Sequence, residues 1–63
     1  MKVYVERSNK HVDAKGKTID EILKQLKINP TTVLVSKNGK IVLSNEKVSS
    51  KDEIIIYSVV SGG

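Results

Sequence analysis

The sequence contains no cysteine, no tryptophan and no phenylalanine, and its only histidine is His11. Without cysteine the chain can form neither a disulfide nor a thiolate metal site, and it has no cysteine nucleophile. A metal site or a serine–histidine–acid triad would have to use carboxylates and one imidazole. We therefore predict no metal site and no catalytic residue, and we expect His11 to be an ordinary, partly exposed strand residue. The chain is predicted to be a substrate or adaptor, not an enzyme.

Long hydrophobic runs are also missing. No stretch approaches the length of a membrane span, and residues 1–7 lack the continuous apolar segment of a signal peptide. We therefore expect a cytoplasmic protein with no membrane partner. At 63 residues and 6.9 kDa, the chain is long enough for one small domain but not for a deep active site.

The chain is basic, with a formal net charge of +4. Basic proteins often bind nucleic acid, but here the lysines are scattered along the sequence and no phenylalanine or tryptophan is available for base stacking. Arg7 alone could offer a bidentate guanidinium. The composition therefore favours a solvated lysine-rich surface, and nucleic acid is not an expected partner.

The first residues have the alternation of a half-buried strand. Met1, Val3 and Val5 alternate with polar or larger residues, and Ser8-Asn9 then interrupts the pattern. Residues 10–14 form a weaker second strand with Val12 as its clear apolar anchor. The short break between the two segments predicts a hairpin.

A helix is predicted to begin after Thr18. Thr18 can cap the amide three residues later, and Glu21 can reach back towards the first turn, which is the pattern of a capping box. One apolar stripe is expected to face a sheet, because its members recur at helical spacing: Ile19, Ile22, Leu23 and Leu26. Asn29-Pro30 is expected to end the helix, since proline disfavours helical geometry in the preceding residue.

Asn38-Gly39 is a strong signal for a two-residue hairpin turn, because a type I′ turn needs positive φ at both central residues. This turn predicts a hairpin of residues 33–37 and 40–43. Its register would place Lys37 opposite Lys40, Ser36 opposite Ile41, Val35 opposite Val42 and Leu34 opposite Leu43. Residues 44–51 are polar apart from Val48 and are expected to form a surface connection.

The last apolar segment, residues 54–60, is apolar on both faces of a strand. Such a strand lies in the middle of a sheet with both faces covered, or keeps one face for a partner. Tyr57 and Val59 are the residues of this strand that we predict for partner docking. Packing in the protein's own core is the alternative, and for Tyr57 the two are evenly balanced.

The sequence ends in Val60-Ser61-Gly62-Gly63. Two adjacent glycines carry a large ordering penalty and contribute no packing group, so we expect a domain of residues 1–60 and a flexible tail of residues 61–63. Five extended residues reach at most about 17 Å, which is enough for residues 59–63 to enter a narrow channel of another protein. The Gly63 carboxylate would be the reacting group, because adenylation by ATP turns a carboxylate into an acyl donor. A frayed terminus without function is the alternative.

The whole chain resembles the sulfur-carrier family of ThiS and MoaD and the related small archaeal modifier proteins, with a closer likeness to ThiS. The resemblance is carried by the length and by four motifs: residues 16–23 at the helix start, Asn38-Gly39, residues 52–54 and residues 60–63. One departure is visible, since relatives commonly have Asp-Gly-Asp where this chain has Ser50-Lys51-Asp52. The family has an α+β fold, the β-grasp or ubiquitin-like fold, with four to five strands in a mixed sheet packed on one helix.

The resemblance implies a carrier whose Gly63 carboxylate is adenylated and then converted to a thiocarboxylate. Gly62 would permit passage through the partner's channel, and Val60 and Ser61 would guide the tail. The implied partners are an adenylating enzyme of the ubiquitin-activating type, a sulfurtransferase or cysteine desulfurase as sulfur donor, and a thiazole synthase or molybdopterin synthase large subunit as acceptor. No cofactor is expected on the chain itself, because ATP is used by the partner enzyme. The sulfur would serve thiamin thiazole, molybdopterin or a thiolated tRNA base.

Two other functions remain open from the sequence. A protein modifier would use the same tail and the same activation step but would form an isopeptide bond with a lysine amine. A binding-only β-grasp module would need clustered basic or aromatic residues on one sheet face, and it would leave Gly62-Gly63 unexplained. In each case we expect adjacent, parallel first and last strands and one core between helix and sheet, formed by Val3, Val5, Ile19, Leu23, Leu26, Val33, Val35, Val42, Ile54 and Ile56.

Overall fold

The computed structural model describes residues 1–58, and these residues form a five-stranded mixed sheet with one helix. The strands and the helix follow one another as β1 (Lys2–Val5), β2 (Lys10–Asp13), α1 (Ile19–Gln25), β3 (Val33–Lys37), β4 (Lys40–Val42) and β5 (Ile54–Ser58). A short 3₁₀ turn, Pro30–Thr32, precedes β3. The predicted α+β β-grasp fold is confirmed. No helix in the described part of the chain is long and apolar enough to cross a membrane.

The last strand lies at the centre of the sheet, whose order is β2-β1-β5-β3-β4. β5 pairs in parallel with β1, where Val3 lies beside Ile54, and antiparallel with β3, where Val35 lies beside Ile56. The predicted parallel pairing of first and last strands is therefore confirmed. A parallel neighbour requires a crossover, which the helix and the β3–β4 hairpin supply.

The core lies between the sheet and α1. Its fully buried apolar residues are Val3, Ala14, Ile19, Ile22, Leu23, Val35, Ile54 and Ile56. The other members of the predicted core are half-buried and pack against this cluster: Val5, Leu26, Val33 and Val42. Ala14 is buried although no periodicity marked it, because it follows β2 directly and its amide still donates to the Met1 carbonyl at 3.0 Å.

The start of α1 follows the capping prediction with one difference. Thr18 is the N-cap, and its side-chain oxygen accepts a hydrogen bond from the Glu21 amide at 3.3 Å. The Glu21 carboxylate reaches back to the amide of Lys17, not to that of Thr18, at 3.4 Å. On the exposed side of the helix, Asp20 and Lys24 form the expected ion pair at 3.3 Å.

The helix ends earlier than Asn29-Pro30, so that prediction was wrong. Its last helical residue is Gln25, and Lys27 adopts a left-handed conformation with φ 60°. The Ile28 amide donates to the Leu23 carbonyl and the Lys27 amide to the Lys24 carbonyl, which together form a Schellman motif. Glycine usually occupies the left-handed position, and a lysine there gives no recognisable stop signal.

The β3–β4 hairpin has the predicted register over its first three pairs. Lys37 pairs with Lys40, Ser36 with Ile41 and Val35 with Val42. The expected pair of Leu34 and Leu43 is not formed, because β4 ends at Val42 and Leu43 is 75% exposed. Asn38 and Gly39 both have positive φ, as a type I′ turn requires.

Candidate docking face and tail site

The sheet has one face against the helix and one face open to solvent. Side chains of a strand alternate between the two faces, so Ile54 and Ile56 point into the core while Ile55 and Tyr57 lie on the open face. Both of these outer residues are half-buried. The second face of the central strand is therefore not covered by any element of residues 1–58.

The open face is apolar where β5 ends. Tyr57 pairs with Leu34 on β3, and Leu34 is 49% exposed. Ile55 lies one row further back beside Ser36, which in turn pairs with Ile41 on β4. Ile41 is 59% exposed. We call these four apolar residues, Leu34, Ile41, Ile55 and Tyr57, the open-face patch.

Ser36 lies in the middle of the open-face patch and is itself only 3% exposed. Its short side chain stands between the larger side chains of Ile41 and Ile55, its two cross-strand neighbours. Ser36 is therefore covered by its neighbours, and the exposed area of the patch belongs to the larger side chains around it. A complementary protein surface can bury apolar area against these side chains.

The structure places only some of the predicted site residues. Tyr57 is half-buried on the open face and does not belong to the core cluster between sheet and helix. Its docking role stays a prediction. The other predicted site residues lie outside the described residues: Val59, Val60, Ser61, Gly62 and Gly63. The predicted flexible tail of residues 61–63 likewise falls outside them.

His11 lies on β2, at the edge of the sheet, and is exposed. Its ring packs against Tyr4 with ring centroids 4.9 Å apart and an interplanar angle of 54°. The Tyr4 hydroxyl donates a hydrogen bond to the Asn9 side chain in the adjacent turn. Within residues 1–58, no group of histidine and acidic side chains is arranged to hold a metal ion. The predicted structural role of His11 agrees with these contacts.

The opposite end of the sheet is held by polar contacts between the β3–β4 turn and residues 49–53. The side-chain amide of Asn38 donates to Asp52 Oδ1 at 2.9 Å, and Asn38 Oδ1 accepts from the Glu53 amide at 2.9 Å. Asp52 Oδ2 accepts from the Ser49 amide at 2.8 Å. The hydrogen bond from Asn38, followed by that from the Ser49 amide, holds the pKa of Asp52 below its usual range.

A second contact joins β3 to the same connection. Lys37 Nζ donates to Glu46 Oε2 at 2.8 Å and to the Lys47 carbonyl at 2.9 Å. The hydrogen bond to Glu46 is the main cause that raises the pKa of Lys37. Residues 44–51, predicted as a plain surface connection, are therefore anchored at several points, including a β-bridge between Thr18 and Lys47.

Leu34, Ile41 and Ile55 were not predicted from the sequence as surface candidates. A signal was present, because the turn register already placed Ser36 and Ile41 on the face opposite to Val35 and Val42. The same alternation along the last strand separates Ile55 and Tyr57 from the buried Ile54 and Ile56. The sequence left open whether the face opposite to the helix is covered, and within residues 1–58 it is open to solvent at Leu34 and Ile41.

This architecture defines a class of protein: a β-grasp domain whose sheet has an open apolar face where the last strand, β5, ends. Comparison with known proteins agrees with it. The model of the ThiS family matches residues 2–63. The chain is also 31% identical over 55 residues to the sulfur carrier protein TtuB of Thermus thermophilus, a match that covers 86% of this chain and 85% of the relative. The chain therefore belongs to the ThiS family, and the resemblance to ThiS-type sulfur carriers is confirmed.

Proposed function

We propose that this protein is a sulfur carrier that delivers sulfur as a thiocarboxylate on Gly63. The observation that supports it most directly is the family match, which runs from residue 2 through Gly62-Gly63 and so includes the proposed reacting end. The relative from Thermus thermophilus bears the name of sulfur carrier. In this role the chain is the protein substrate of a partner enzyme and not a catalyst.

The chemistry needs an activation step, because a carboxylate at neutral pH is a poor electrophile. Attack of the Gly63 carboxylate on the α-phosphate of ATP, held by the partner, gives an acyl-adenylate and releases pyrophosphate. A persulfide of the sulfur donor then displaces AMP. A thiol attacks the donor's sulfur in the resulting acyl disulfide, which releases the thiocarboxylate and leaves a disulfide between that thiol and the donor. The carrier supplies no general base in this sequence, so His11 has no part in it.

The reach of the tail limits the position of the partner enzyme relative to the sheet. Residues 59–63 can span at most about 17 Å from the end of β5, whatever their conformation. An enzyme that holds the Gly63 carboxylate in its active site therefore contacts the surface around Ser58 and its β3 partner Val33. In the proposal, Gly62 passes through the narrowest part of the partner's channel because it has no side chain, and Val60 and Ser61 guide the tail.

The open-face patch is the proposed docking surface for the adenylating enzyme. Tyr57 and Leu34 lie one residue from Ser58 and Val33, within reach of any partner that engages the tail. Their exposed apolar area would be removed from water on docking, which favours association. Val59, predicted as a docking residue, directly follows Ser58 in the chain and is included in the proposal.

The sulfur donor and the final acceptor are proposed by class. The donor is a sulfurtransferase or cysteine desulfurase that presents a persulfide. The acceptor is an enzyme that makes thiamin thiazole, molybdopterin or a thiolated tRNA base, such as a thiazole synthase or a molybdopterin synthase large subunit. Both are selected by docking, since the carrier's reacting group is the same in each pathway.

Incubation with the adenylating enzyme of the same cell, ATP and a persulfide donor tests the proposal. Mass spectrometry should show one oxygen of the Gly63 carboxylate replaced by sulfur. Deletion of Gly62-Gly63 should abolish the product, because no terminal carboxylate then reaches the active site. The thermal unfolding midpoint of this variant should equal that of the wild type.

His11→Ala serves as the control, and it should give the wild-type amount of thiocarboxylate. If Gly63 remains unmodified with every adenylating enzyme of the cell, the sulfur-carrier proposal is wrong. If Gly63 instead becomes linked to lysine amines of other proteins, the protein is a modifier. If neither product forms and RNA binds with strong salt dependence, the protein is a binding module.

A further inference from the structure

Asn38 is followed by Gly39 in the β3–β4 turn, and this dipeptide has a reactivity that the proposed function does not use. In an asparagine–glycine pair, the glycine nitrogen can attack the side-chain carbonyl carbon of asparagine, because glycine has no side chain to hinder the approach. Ammonia leaves with Nδ2, and the cyclic imide takes up water and opens to aspartate or isoaspartate. The balance is amide plus water to carboxylic acid plus ammonia, with no change in oxidation state.

The surroundings of the turn would permit this reaction. Asn38 and Gly39 are exposed to water, and apart from Gly39 and its two neighbours in the chain no heavy atom of the described residues lies within 4 Å of the position that a Cβ of Gly39 would occupy. None of the other asparagines is followed by glycine. Asn29 precedes Pro30, which has no backbone N–H, while Asn9 and Asn45 precede residues with large side chains. By local sequence, Asn38 is the most reactive asparagine of the chain.

Both ends of the Asn38 side chain are nevertheless held by other groups. Its Nδ2 donates to Asp52 Oδ1 at 2.9 Å and its Oδ1 accepts from the Glu53 amide at 2.9 Å, while its own backbone amide donates to the Glu53 carbonyl at 2.9 Å. We propose that Asn38 is a latent deamidation site that the native fold protects, with Asp52 and the Glu53 amide as the clamp.

The clamp opposes the reaction through geometry and through charge. Cγ of Asn38 must bond to the Gly39 nitrogen to close the imide ring, and the hydrogen bonds of Nδ2 and Oδ1 restrict the rotation of the side chain that this approach requires. The attacking nitrogen must also lose its proton, and the negative Asp52 carboxylate nearby disfavours a second negative charge. Asp52 cannot follow the rotation, because the Ser49 amide holds its other oxygen at 2.8 Å.

Deamidation would also remove the clamp permanently. The product has a carboxylate where Nδ2 now donates to Asp52, so an attractive contact becomes a repulsion between two negative charges. The connection of residues 49–53 to the β3–β4 turn would lose this anchor. The clamp therefore preserves the hydrogen bond between Asn38 and Asp52, which cannot form again after deamidation.

The rate of Asn38 deamidation in the full chain at mildly alkaline pH tests the proposal. Peptide mapping by mass spectrometry measures the replacement of NH2 by OH at Asn38 and separates the aspartate and isoaspartate products. We expect the folded wild type to react at least about tenfold more slowly than the same chain unfolded in urea. Asp52→Ala should accelerate the reaction of the folded chain by about tenfold, the factor that corresponds to one hydrogen bond to a charged group.

Leu23→Ala is the matched control, because it destabilises the core without touching the clamp. The rates are compared at a temperature where circular dichroism shows all variants folded, with Asn45 as an internal reference. We expect Leu23→Ala to leave the Asn38 rate close to that of the wild type. Equal acceleration in Leu23→Ala and Asp52→Ala would assign the protection to global folding and overturn the clamp. An unchanged rate in Asp52→Ala would overturn it as well.

Discussion

Asp52 joins three segments of the chain through its two carboxylate oxygens. One oxygen accepts from Asn38 in the β3–β4 turn and the other from the Ser49 amide, and Asp52 directly precedes Glu53, the last residue before β5. These contacts hold residues 49–53 against the β3–β4 turn.

Asp52 also predicts a dependence of stability on acid. Folding lowers its pKa from the ordinary value of 3.8, so the native state favours the charged form. The resulting stability is present above pH 3.8 and is lost as pH falls through the lower pKa of the folded state. In Asp52→Asn the thermal unfolding midpoint should therefore fall less than in the wild type when the pH is lowered below this value. Asp13→Asn, on the edge strand β2, should retain the acid dependence of the wild type.

At the scale of secondary-structure elements, α1 supplies the only helical surface against which the described sheet packs. Leu23 lies in the middle of its buried stripe and is 1% exposed. Leu23→Ala should lower the free energy of unfolding by about 2 to 5 kcal/mol, because it removes buried methyl groups and leaves a cavity. Chemical denaturation of both proteins measures the difference.

Leu43→Ala is the comparison for this prediction, since the same side chain is removed at a position that is 75% exposed. A surface substitution of this kind should change the free energy of unfolding by less than about 0.5 kcal/mol. Similar losses in the two variants would mean that α1 does not provide the core as described.

The elements differ in how far their sequence predicted them. The turn at Asn38-Gly39 and the start of the helix at Thr18 were predictable, because each depends on local chemistry that a few residues determine. The end of the helix was not, since Lys27 adopts a left-handed conformation without being glycine. That conformation is stabilised by the pair of backbone hydrogen bonds and by the packing of Ile28 against the core.

The candidate site was predictable in part for a related reason. Tyr57 could be singled out because its strand is apolar on both faces. The turn register also placed Leu34 and Ile41 on the face opposite to the predicted core residues Val35 and Val42. Whether that face is covered could not be predicted, since an exposed apolar face looks the same in sequence as one that packs against a second layer.

At the scale of the whole molecule, the two ends of the sheet have different properties. The end near Asn38 and Ile54 is tied by hydrogen bonds to residues 49–53. The end near Ser58 and Val33 carries Tyr57 and Leu34 of the open-face patch, and Ser58 is the last residue that the structure describes. Because β5 is flanked by β1 and β3, Ser58 lies at the centre of the sheet and not on an edge strand.

This arrangement predicts that docking and chemistry can be separated by mutation. Leu34→Ser should raise the KM of the adenylating enzyme for the carrier by about tenfold, since truncation of one well-packed interface residue costs roughly 1 to 2 kcal/mol, while kcat stays unchanged. Leu43→Ser makes the same change in a side chain that lies past the end of β4, and it should leave both constants near the wild type. Deletion of Gly62-Gly63 should have the complementary effect, because the truncated carrier still docks and competes with intact carrier but gives no product. Equal KM values for Leu34→Ser and Leu43→Ser would show that the enzyme recognises the carrier through its tail alone.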